Sequence, residues 1–346
     1  MDQGINLLIV ADMPVAADWQ FLSAFESPQW DVKCIWADVR TRKLSGRAAK
    51  LMYGWPSYLK LTVRAARMRN EYDVILCWQG IVGVLLGAYK RLTGGRWPRL
   101  AAMGIIHTQR RQRLYAVLRR SLLSFGIKGL DRIFCYSRGE VDRYSADFGV
   151  PSENIRFLPV GLDTTWLGWR GSRSKIEGVP RPYVFSGGRS NRDYGLLVRA
   201  MSGLEANCVI VASASNNIPA PLPRNVRLFR EQYDATFFHL MQDSELVVLP
   251  LADPQVSSGQ LVLLQAMALR KPIIVTGGAG VIDYVVPGKT AVVVRPGDVE
   301  ALRAAIRTVR EDRTLAESLA SSAEAEFWRH YTLERMSKSV ASALCS

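Results

Sequence analysis

Two segments in the second half of the chain carry residue types that bind phosphates and sugars. The first, Phe185-Ser-Gly-Gly-Arg-Ser-Asn-Arg-Asp-Tyr, follows an apolar run that predicts a strand, and it opens a segment of helical periodicity. Gly187 and Gly188 would let the backbone approach a ligand closely. Arg189 and Arg192 place two fixed positive charges beside a helix N-terminus, which suits a pyrophosphate. A glycine turn with surface arginines is the alternative interpretation.

The second segment, Ser257-Ser-Gly-Gln-Leu-Val-Leu-Leu-Gln-Ala-Met-Ala, follows a predicted strand at Val247–Pro250. Its small polar loop opens an apolar helix, whose free N–H groups and positive dipole end can hold an anion. Gln265 is a polar residue within that apolar helix. The pattern fits hydrogen bonding from Ser257 and Gln265 to ligand hydroxyls. It also fits an N-cap serine with a buried, satisfied glutamine.

Other polar residues also follow predicted strands. His107 comes directly after Ala101–Ile106, so we expect it at the carboxyl edge of a sheet, although a capping or surface histidine is the alternative. The stretch Pro272–Asp283 imitates a dinucleotide fingerprint, but Asp283 stands where the third glycine is required. No HExxH, Cys/His or Ser–His–Asp pattern occurs, so we predict neither a metal site nor a hydrolase.

Short apolar runs separated by helical periodicity must position these residues. Continuous apolarity in the runs predicts parallel strands buried on both faces. Two such series in tandem predict an α/β protein of two Rossmann-like domains facing across a cleft, with a Gly/Ser/Pro-rich linker at Thr164–Pro182. We place the domains at 1–165 and 170–326, and a last helix, Phe327 to about Leu344 within 327–346, packs back on the first. The predicted strands are Ile5–Val10, Val32–Trp36, Val74–Cys77, Ala101–Ile106, Arg132–Tyr136, Ile155–Leu158, Tyr183–Phe185, Cys208–Val211, Val226–Phe229, Leu246–Leu249, Ile273–Val275 and Ala291–Val294.

The charge of the chain is concentrated in its first half. The 346 residues include 45 Lys+Arg and 31 Asp+Glu, a net charge of +14. Between Arg40 and Arg143 there are 22 basic and 5 acidic residues. Such an excess favours an anionic partner: nucleic acid, an anionic membrane or a phosphorylated substrate. The composition, 48% hydrophobic and 22% charged, excludes a disordered or fibrous chain.

The cysteines and the apolar stretches indicate the cellular compartment in which we expect the protein. Five cysteines without CxxC spacing favour a reducing compartment, and the start Met-Asp-Gln-Gly lacks a basic signal-peptide region. The run Val74–Tyr89 is shorter than the ~20 residues of a membrane span. It predicts a strand, a glycine turn and a helix, with membrane insertion as the alternative. A cytoplasmic protein is the expectation.

These motifs, in this order, resemble the GT-B glycosyltransferases, specifically glycosyltransferase family 4. Asn154-Ile-Arg-Phe-Leu-Pro-Val-Gly-Leu-Asp resembles the family's hinge entry, and Gly277–Gly288 resembles its glycine loop, with Asp283 where an acid is usual. Arg189 and Arg192 resemble its basic pair for the donor diphosphate. The resemblance gives these candidate donor-binding residues: Gly187, Gly188, Arg189, Arg192, Ser257, Ser258, Gly259, Gln260, Leu261 and Gln265.

The sequence departs from the family pattern at its glutamate–seven residues–glutamate motif. Ser257 and Gln265 replace both glutamates, and Val160 replaces the hinge asparagine. In the family the first glutamate contacts the sugar and the second the ribose. Gln265 can still bind ribose hydroxyls as an amide, whereas Ser257 is too short to reach as a glutamate does. We interpret the chain as a divergent member, of a bacterial polysaccharide subfamily.

The resemblance implies transfer of a sugar from a nucleotide diphosphate-sugar to an acceptor hydroxyl, retaining at the anomeric carbon, with neither metal nor cofactor. It places His107, Arg189 and Arg192 in catalysis, the histidine against the donor sugar or phosphate. Asp12 and Asp283 are candidates on the acceptor side. A nucleotide-sugar epimerase and a catalytically degenerate binding protein are the alternatives.

The basic region has a use in this interpretation. Basic and aromatic residues interleave from Arg40 to Arg69, a composition that suits an anionic bilayer at roughly 1 kcal/mol per nearby cation. The prediction is therefore a peripheral enzyme on the inner face of the cytoplasmic membrane, with a lipid-linked or glycan acceptor. A solvated basic face is the alternative. No zinc finger, helix-turn-helix or RNP signature occurs, so we expect no nucleic-acid partner. The cations involved are Arg40, Arg42, Lys43, Arg47, Lys50, Lys60, Arg64, Arg67 and Arg69.

Overall fold

A computed structural model describes residues 4–38, 47–105, 113–169, 176 and 178–345 of the chain, without the side chains of 47–53 and 113–119. The described residues form twelve strands and ten α-helices. By their contacts they separate into two compact units. The first consists of Met1–Leu158 with Met336–Ser346, and the second consists of Pro159–Arg335.

The first unit is a parallel six-stranded sheet in the order β2-β1-β3-β4-β5-β6. Helices α1 to α4 form a layer in which α1 packs on α2, α2 on α3 and α3 on α4. The last helix, α10, lies against the 3-10 turn Gln20–Phe25, where the Ser337 hydroxyl donates to the Phe21 carbonyl. The elements are β1 Ile5–Ala11, β2 Trp30–Trp36, α1 Arg47–Arg67, β3 Val74–Cys77, α2 Gly80–Thr93, β4 Arg99–Met103, α3 Arg113–Ile127, β5 Arg132–Cys135, α4 Arg138–Phe148, β6 Ile155–Phe157 and α10 Leu333–Cys345.

The second unit is a parallel six-stranded sheet in the order β12-β11-β10-β7-β8-β9. Strands β7, β10 and β11 are buried along their whole length, because helices cover both faces of the sheet. The elements are β7 Tyr183–Gly188, α5 Tyr194–Met201, β8 Asn207–Ala212, β9 Val226–Arg230, α6 Ala235–Gln242, β10 Leu246–Leu249, α7 Gln260–Ala268, β11 Ile273–Thr276, β12 Val292–Val294, α8 Val299–Glu311 and α9 Arg313–His330.

The predicted fold class is confirmed, since the structure contains two parallel α/β sheets and a strand at each of the twelve predicted apolar runs. The run Val74–Tyr89 is strand β3 followed by the start of α2, as the glycine pattern predicted. Among the described residues, no helix combines the length and apolarity that a membrane crossing requires. The predicted linker within Thr164–Pro182 stays a prediction, and residues 170–175 and 177 lie outside the described residues.

The single last helix predicted from Phe327 is wrong. Helix α9 ends at His330 and α10 begins at Leu333. Between them the backbone pairs with Leu162, whose N–H donates to the Tyr331 carbonyl at 2.8 Å and whose carbonyl accepts from Leu333 N–H at 3.0 Å. These bridge bonds replace the helical hydrogen bonds at this point and interrupt the helix.

Candidate functional site

The loop after β7 is built around the side chain of Arg192. Its Nε donates to the Gly187 carbonyl at 3.1 Å and one Nη donates to the Ser190 carbonyl at 2.8 Å. Gly188 has φ of +137°, and a Cβ there would lie 2.5 Å from the guanidinium. A glycine is therefore required so that Arg192 can fold back over the end of its own strand. Burial lowers the pKa of Arg192, because its charge is partly removed from water.

Asn191 ties this loop to the segment after β10, and the sequence analysis missed it. It adopts a left-handed conformation with φ of +54°. Its side-chain amide donates to the Asp253 carbonyl and to Ser258 Oγ, both at 2.9 Å, while its Oδ1 accepts from Asp253 N–H at 2.8 Å. Asparagine tolerates this conformation better than most residues do. In the sequence, the only sign of this role is the Ser-Asn pair between Arg189 and Arg192, a pair typical of a turn.

The N-terminus of α7 lies at this junction and has no side-chain cap. The N-cap residue is Gly259, with φ of +94°, so the N-cap serine considered from the sequence is wrong. The Ser257 hydroxyl instead accepts from Gln260 Nε2 at 2.7 Å, and the Ser258 hydroxyl accepts from Asn191. Since the first amides of a helix have no intrahelical partner, those of Gln260 and Leu261 are available to an anion.

Arg192 lies beside this helix end. A Cβ built on Gly259 would be 3.8 Å from one Nη of Arg192. A guanidinium and an uncapped helix N-terminus are thus adjacent at the carboxyl ends of the neighbouring strands β7 and β10. Both attract negative charge, so their juxtaposition forms an anion site.

The glycine loop after β11 closes against the same segment. The Ala279 N–H donates to the Pro254 carbonyl at 2.7 Å. A Cβ on Gly280 would overlap the backbone of Ser258, so only glycine permits this approach. The glycines that imitate a dinucleotide fingerprint therefore pack one loop on another.

Gln265 lies on the open face of α7. Leu261 is exposed and Val262 and Gln265 are half-buried, whereas the other residues of the helix are buried. The Oε1 atom of Gln265 is covered and accepts no hydrogen bond from the described residues. This oxygen is therefore unsatisfied among the described residues, unlike the buried, satisfied glutamine that was the alternative interpretation of the sequence.

Arg189 is held apart from the Arg192 contacts. Its guanidinium lies over the Tyr233 ring, 4.0 Å from the centroid. Glu231 is nearby, and its pKa is lowered mainly by the Ala214 N–H, which donates to its carboxylate at 2.6 Å, and also by the Arg189 charge. Asp283 is half-buried in the 3-10 turn Ile282–Tyr284 after β11.

In the first unit, Asp12 follows β1 and is 1% exposed. Its Oδ2 accepts from Gln79 Nε2 at 2.8 Å and from the Tyr58 hydroxyl at 3.5 Å. Gln79 follows β3, so this carboxylate group also lies at a carboxyl edge of a parallel sheet. The sequence analysis did not identify Gln79. His107 lies outside the described residues.

The predicted basic region is only partly visible. Arg40, Arg42 and Lys43 lie outside the described residues, as do the side chains of Arg47 and Lys50. Within the described part of the chain, no three His, Cys, Asp or Glu side chains are grouped as a metal site would require.

Two family models match the chain. The model described as "Glycosyltransferase Family 4" matches residues 24–166, and that described as "Glycosyl transferases group 1" matches residues 183–312. The first match falls mainly on the first unit and the second match falls within the second unit. No curated protein matches the sequence.

Solved structures share the fold over nearly the full chain. Anabaena Alr3699/HepE, in complex with UDP, gives a TM-score of 0.68 at 14% identity, covering 99% of this chain and 100% of that one. Sucrose-phosphate synthase from Thermosynechococcus elongatus gives 0.70 at 15%, covering 98% of each. The lipopolysaccharide outer core galactosyltransferase WaaB gives 0.63 at 13%, covering 99% of each. With the family models, these neighbours confirm the GT-B fold and the resemblance to family 4.

Proposed function

We propose that the chain, which is a glycosyltransferase of the GT-B fold resembling family 4, takes its sugar from a nucleoside diphosphate-sugar bound to the second unit. The observation that carries the proposal is the uncapped N-terminus of α7 beside the guanidinium of Arg192. HepE, whose complexes contain UDP and UDP-glucose, makes a uridine donor the first candidate.

Stabilisation of the departing diphosphate is the chemistry that this site supplies. As the bond from the anomeric carbon to the diphosphate oxygen breaks, negative charge collects on the leaving group. Arg192 is already folded against Gly187 and Ser190, so it needs little reorganisation to receive that charge. The amides of Gln260 and Leu261 are likewise fixed by the helix. Preorganised donors of this kind usually make the largest contribution to catalysis.

The other donor contacts follow from position. Gln265 is half-buried on the open face of α7, and its covered Oε1 has no donor among the described residues. By turning toward the ligand, this amide would accept a hydrogen bond from a ribose hydroxyl. Arg189, whose guanidinium lies over the Tyr233 ring, would contact the nucleotide or the distal phosphate. We further propose retention at the anomeric carbon without a divalent metal, as the resemblance to family 4 implies. His107 remains a proposed contact of the donor sugar or phosphate, and Asp12 and Asp283 remain proposed acceptor-side residues.

We also propose that the acceptor is a lipid-linked or glycan hydroxyl at a membrane face. Helix α1 supports this with an exposed apolar stripe: Trp55, Leu59 and Val63 are 44%, 49% and 48% exposed and recur every four residues. Lys60 and Arg64 are exposed beside them. An apolar stripe bordered by cations is typical of a helix that lies in a bilayer interface. WaaB, a lipopolysaccharide galactosyltransferase, shares the fold.

Calorimetric titration with UDP, GDP and ADP tests the donor site. We expect binding of one nucleoside diphosphate, and a loss of about tenfold or more in Arg192→Ala, the scale of a charge-assisted hydrogen bond. Arg227→Ala, an exposed arginine on β9, is the matched control and should bind as the wild type does. Arg192→Lys keeps the positive charge but not the guanidinium hydrogen bonds to Gly187 and Ser190, so it separates the effect of the charge from the effect of the loop structure. Equal binding by wild type and Arg192→Ala, with both folded, would refute the site.

Product analysis separates the alternatives. A glycosyltransferase releases the nucleoside diphosphate only when an acceptor is present and yields a glycosylated product. An epimerase would convert the nucleotide-sugar without an acceptor, and a degenerate protein would bind the donor without turnover. Comparing the anomeric configuration of product and donor by NMR tests retention, since an inverted product would refute that part of the proposal.

Vesicle binding tests the α1 stripe. Trp55→Ser, Leu59→Ser and Val63→Ser together remove exposed apolar groups and no charge. We expect weaker partitioning to phosphatidylglycerol vesicles with unchanged thermal stability, because these side chains are not in the core. Unchanged partitioning would refute membrane contact through this helix.

A further inference from the structure

A basic pocket lies on the helix layer of the first unit, near the C-terminal ends of α2, α3 and α4 and not at the carboxyl ends of the strands. Its volume is about 470 Å³, and Arg91 from α2 lines it together with the basic residues Arg120 and Lys128, two serines and Phe125. Ser121, Ser124 and Phe125 lie at helical spacing, so one face of α3 forms one of its walls. Neither the donor site nor the α1 stripe includes any of these residues.

The charges of this pocket are only partly compensated. Arg120 pairs with Asp147 of α4, with Nη2 3.2 Å from Oδ1. Arg91 lies over the Phe125 ring at 4.6 Å. Among the described side chains, neither Arg91 nor Lys128 has an acidic partner. Three cations and one carboxylate in one cavity leave a net positive charge, which an anion would relieve.

Exposed apolar side chains neighbour the pocket-lining residues on α2 and α3. Leu122 is 66% exposed, Phe125 is 37% exposed, and Leu92, next to Arg91, is 74% exposed. Leu122 and Phe125 are three residues apart on α3, a spacing that puts two apolar side chains on one helix face, where burial is the usual outcome. Helix α3 instead approaches α2 through Gly126, where a Cβ would overlap the Val84 carbonyl. This close glycine contact leaves the leucine and the phenylalanine outside the core.

We propose that this pocket binds the phosphate group of an anionic phospholipid. The cations Arg91, Arg120 and Lys128 would contact the phosphate. Ser121 would offer a hydroxyl, whereas the Ser124 hydroxyl already donates to the Phe148 carbonyl at 3.0 Å. Leu92 and Leu122 would enter the boundary between headgroups and acyl chains. The inference rests on the proposed membrane association and extends it, because it gives the membrane a second, specific contact besides the α1 stripe.

The exposed leucines next to the pocket-lining residues Arg91 and Ser121 distinguish a lipid from a soluble phosphate. A soluble anion gains nothing from exposed leucines around its site, whereas an interfacial lipid buries them together with the phosphate. Arg91 over Phe125 also presents a cation and an aromatic ring together, a combination that fits the headgroup level of a bilayer.

The test compares two double variants of equal charge change. Arg91→Ala with Lys128→Ala removes two pocket cations. Lys33→Ala with Arg156→Ala removes two exposed cations elsewhere in the first unit. Co-sedimentation with vesicles of phosphatidylglycerol and phosphatidylcholine at 150 mM salt measures partitioning. At about 1 kcal/mol per cation at the surface, we expect the pocket variant to bind roughly 30-fold more weakly. The control should lose less than about threefold.

Hydrogen exchange locates the contact. We expect anionic vesicles to protect backbone amides of residues 121–127, and neutral vesicles not to. The inference is overturned by equal losses in the two variants, by unchanged exchange in α3, or by competition from glycerol phosphate at equal phosphate concentration, which would show a soluble-anion site. UDP binding of both variants is measured in parallel. Its absence in the wild type would refute the donor proposal and leave the vesicle result standing.

Discussion

Replacing Gln265 by leucine should strengthen the folded protein and weaken donor binding at the same time. The Oε1 atom of Gln265 is buried and accepts no hydrogen bond from the described residues. An unsatisfied buried polar atom costs about 1–3 kcal/mol. Leucine has a similar volume and no polar atom, so Gln265→Leu removes this cost and leaves no large cavity.

The two effects have separate magnitudes. We expect the ligand-free protein to gain about 1–2 kcal/mol in the free energy of unfolding, since Gln265 as a whole residue is only half-buried. The donor would lose one neutral hydrogen bond, worth about 0.5–1.5 kcal/mol, so its affinity should fall roughly three- to tenfold. A stabilised apo protein that binds its ligand less well is the signature of a polar residue kept for the ligand.

Urea denaturation without ligand and calorimetric titration with the nucleoside diphosphate measure the two quantities. Gln265→Glu restores the family's carboxylate and serves as the comparison, because a carboxylate also accepts from ribose hydroxyls. A destabilised Gln265→Leu protein with unchanged affinity would refute the reasoning, since it would show an amide that stabilises the fold and does not contact the ligand.

Three further predictions follow from single contacts. Gly280→Ala forces the glycine loop away from Ser258. We expect the free energy of unfolding, measured by denaturation, to fall by about 1–3 kcal/mol and nucleotide binding to weaken. Wild-type stability and affinity would contradict the close approach of the two loops. Asn191→Ala removes the side-chain hydrogen bonds that join the loops after β7 and β10. We expect the nucleotide affinity, measured by calorimetry, to fall more than the stability, measured by thermal unfolding. Burial raises the pKa of Cys77 to about 12, so its thiol is protonated at pH 8 and should resist iodoacetamide. Exposed Cys345 should react. Mass spectrometry of the native protein measures both, and alkylation of Cys77 before Cys345 would contradict the burial of Cys77.

The sheet strands were predictable because strands buried on both faces read as continuous apolar runs. Each of the twelve runs found in the sequence is a strand, with ends within a few residues. The features that the sequence did not predict depend on tertiary contacts. The break between α9 and α10 depends on backbone pairing with Leu162, far away in sequence. The exposure of Leu122 and Phe125 depends on the glycine contact between α2 and α3. Periodicity carries neither piece of information.

The candidate site was predicted in its location and residue types more than in its contacts. Gly188, Arg192 and the start of α7 do lie together, because they follow neighbouring parallel strands. The sequence did not distinguish the two serines from Gly259 as the helix cap. It also left Asn191 unidentified, since a left-handed residue that joins two loops has no periodic signature.

A crystal structure with the bound nucleoside diphosphate would show directly whether its phosphates contact Arg192 and the N-terminus of α7. Phosphate oxygens should lie within hydrogen-bonding distance of the Arg192 guanidinium and of the backbone amides of Gln260 and Leu261, and a ribose hydroxyl should lie at Gln265. A nucleotide bound with its phosphates away from the N-terminus of α7 would refute the proposed donor site.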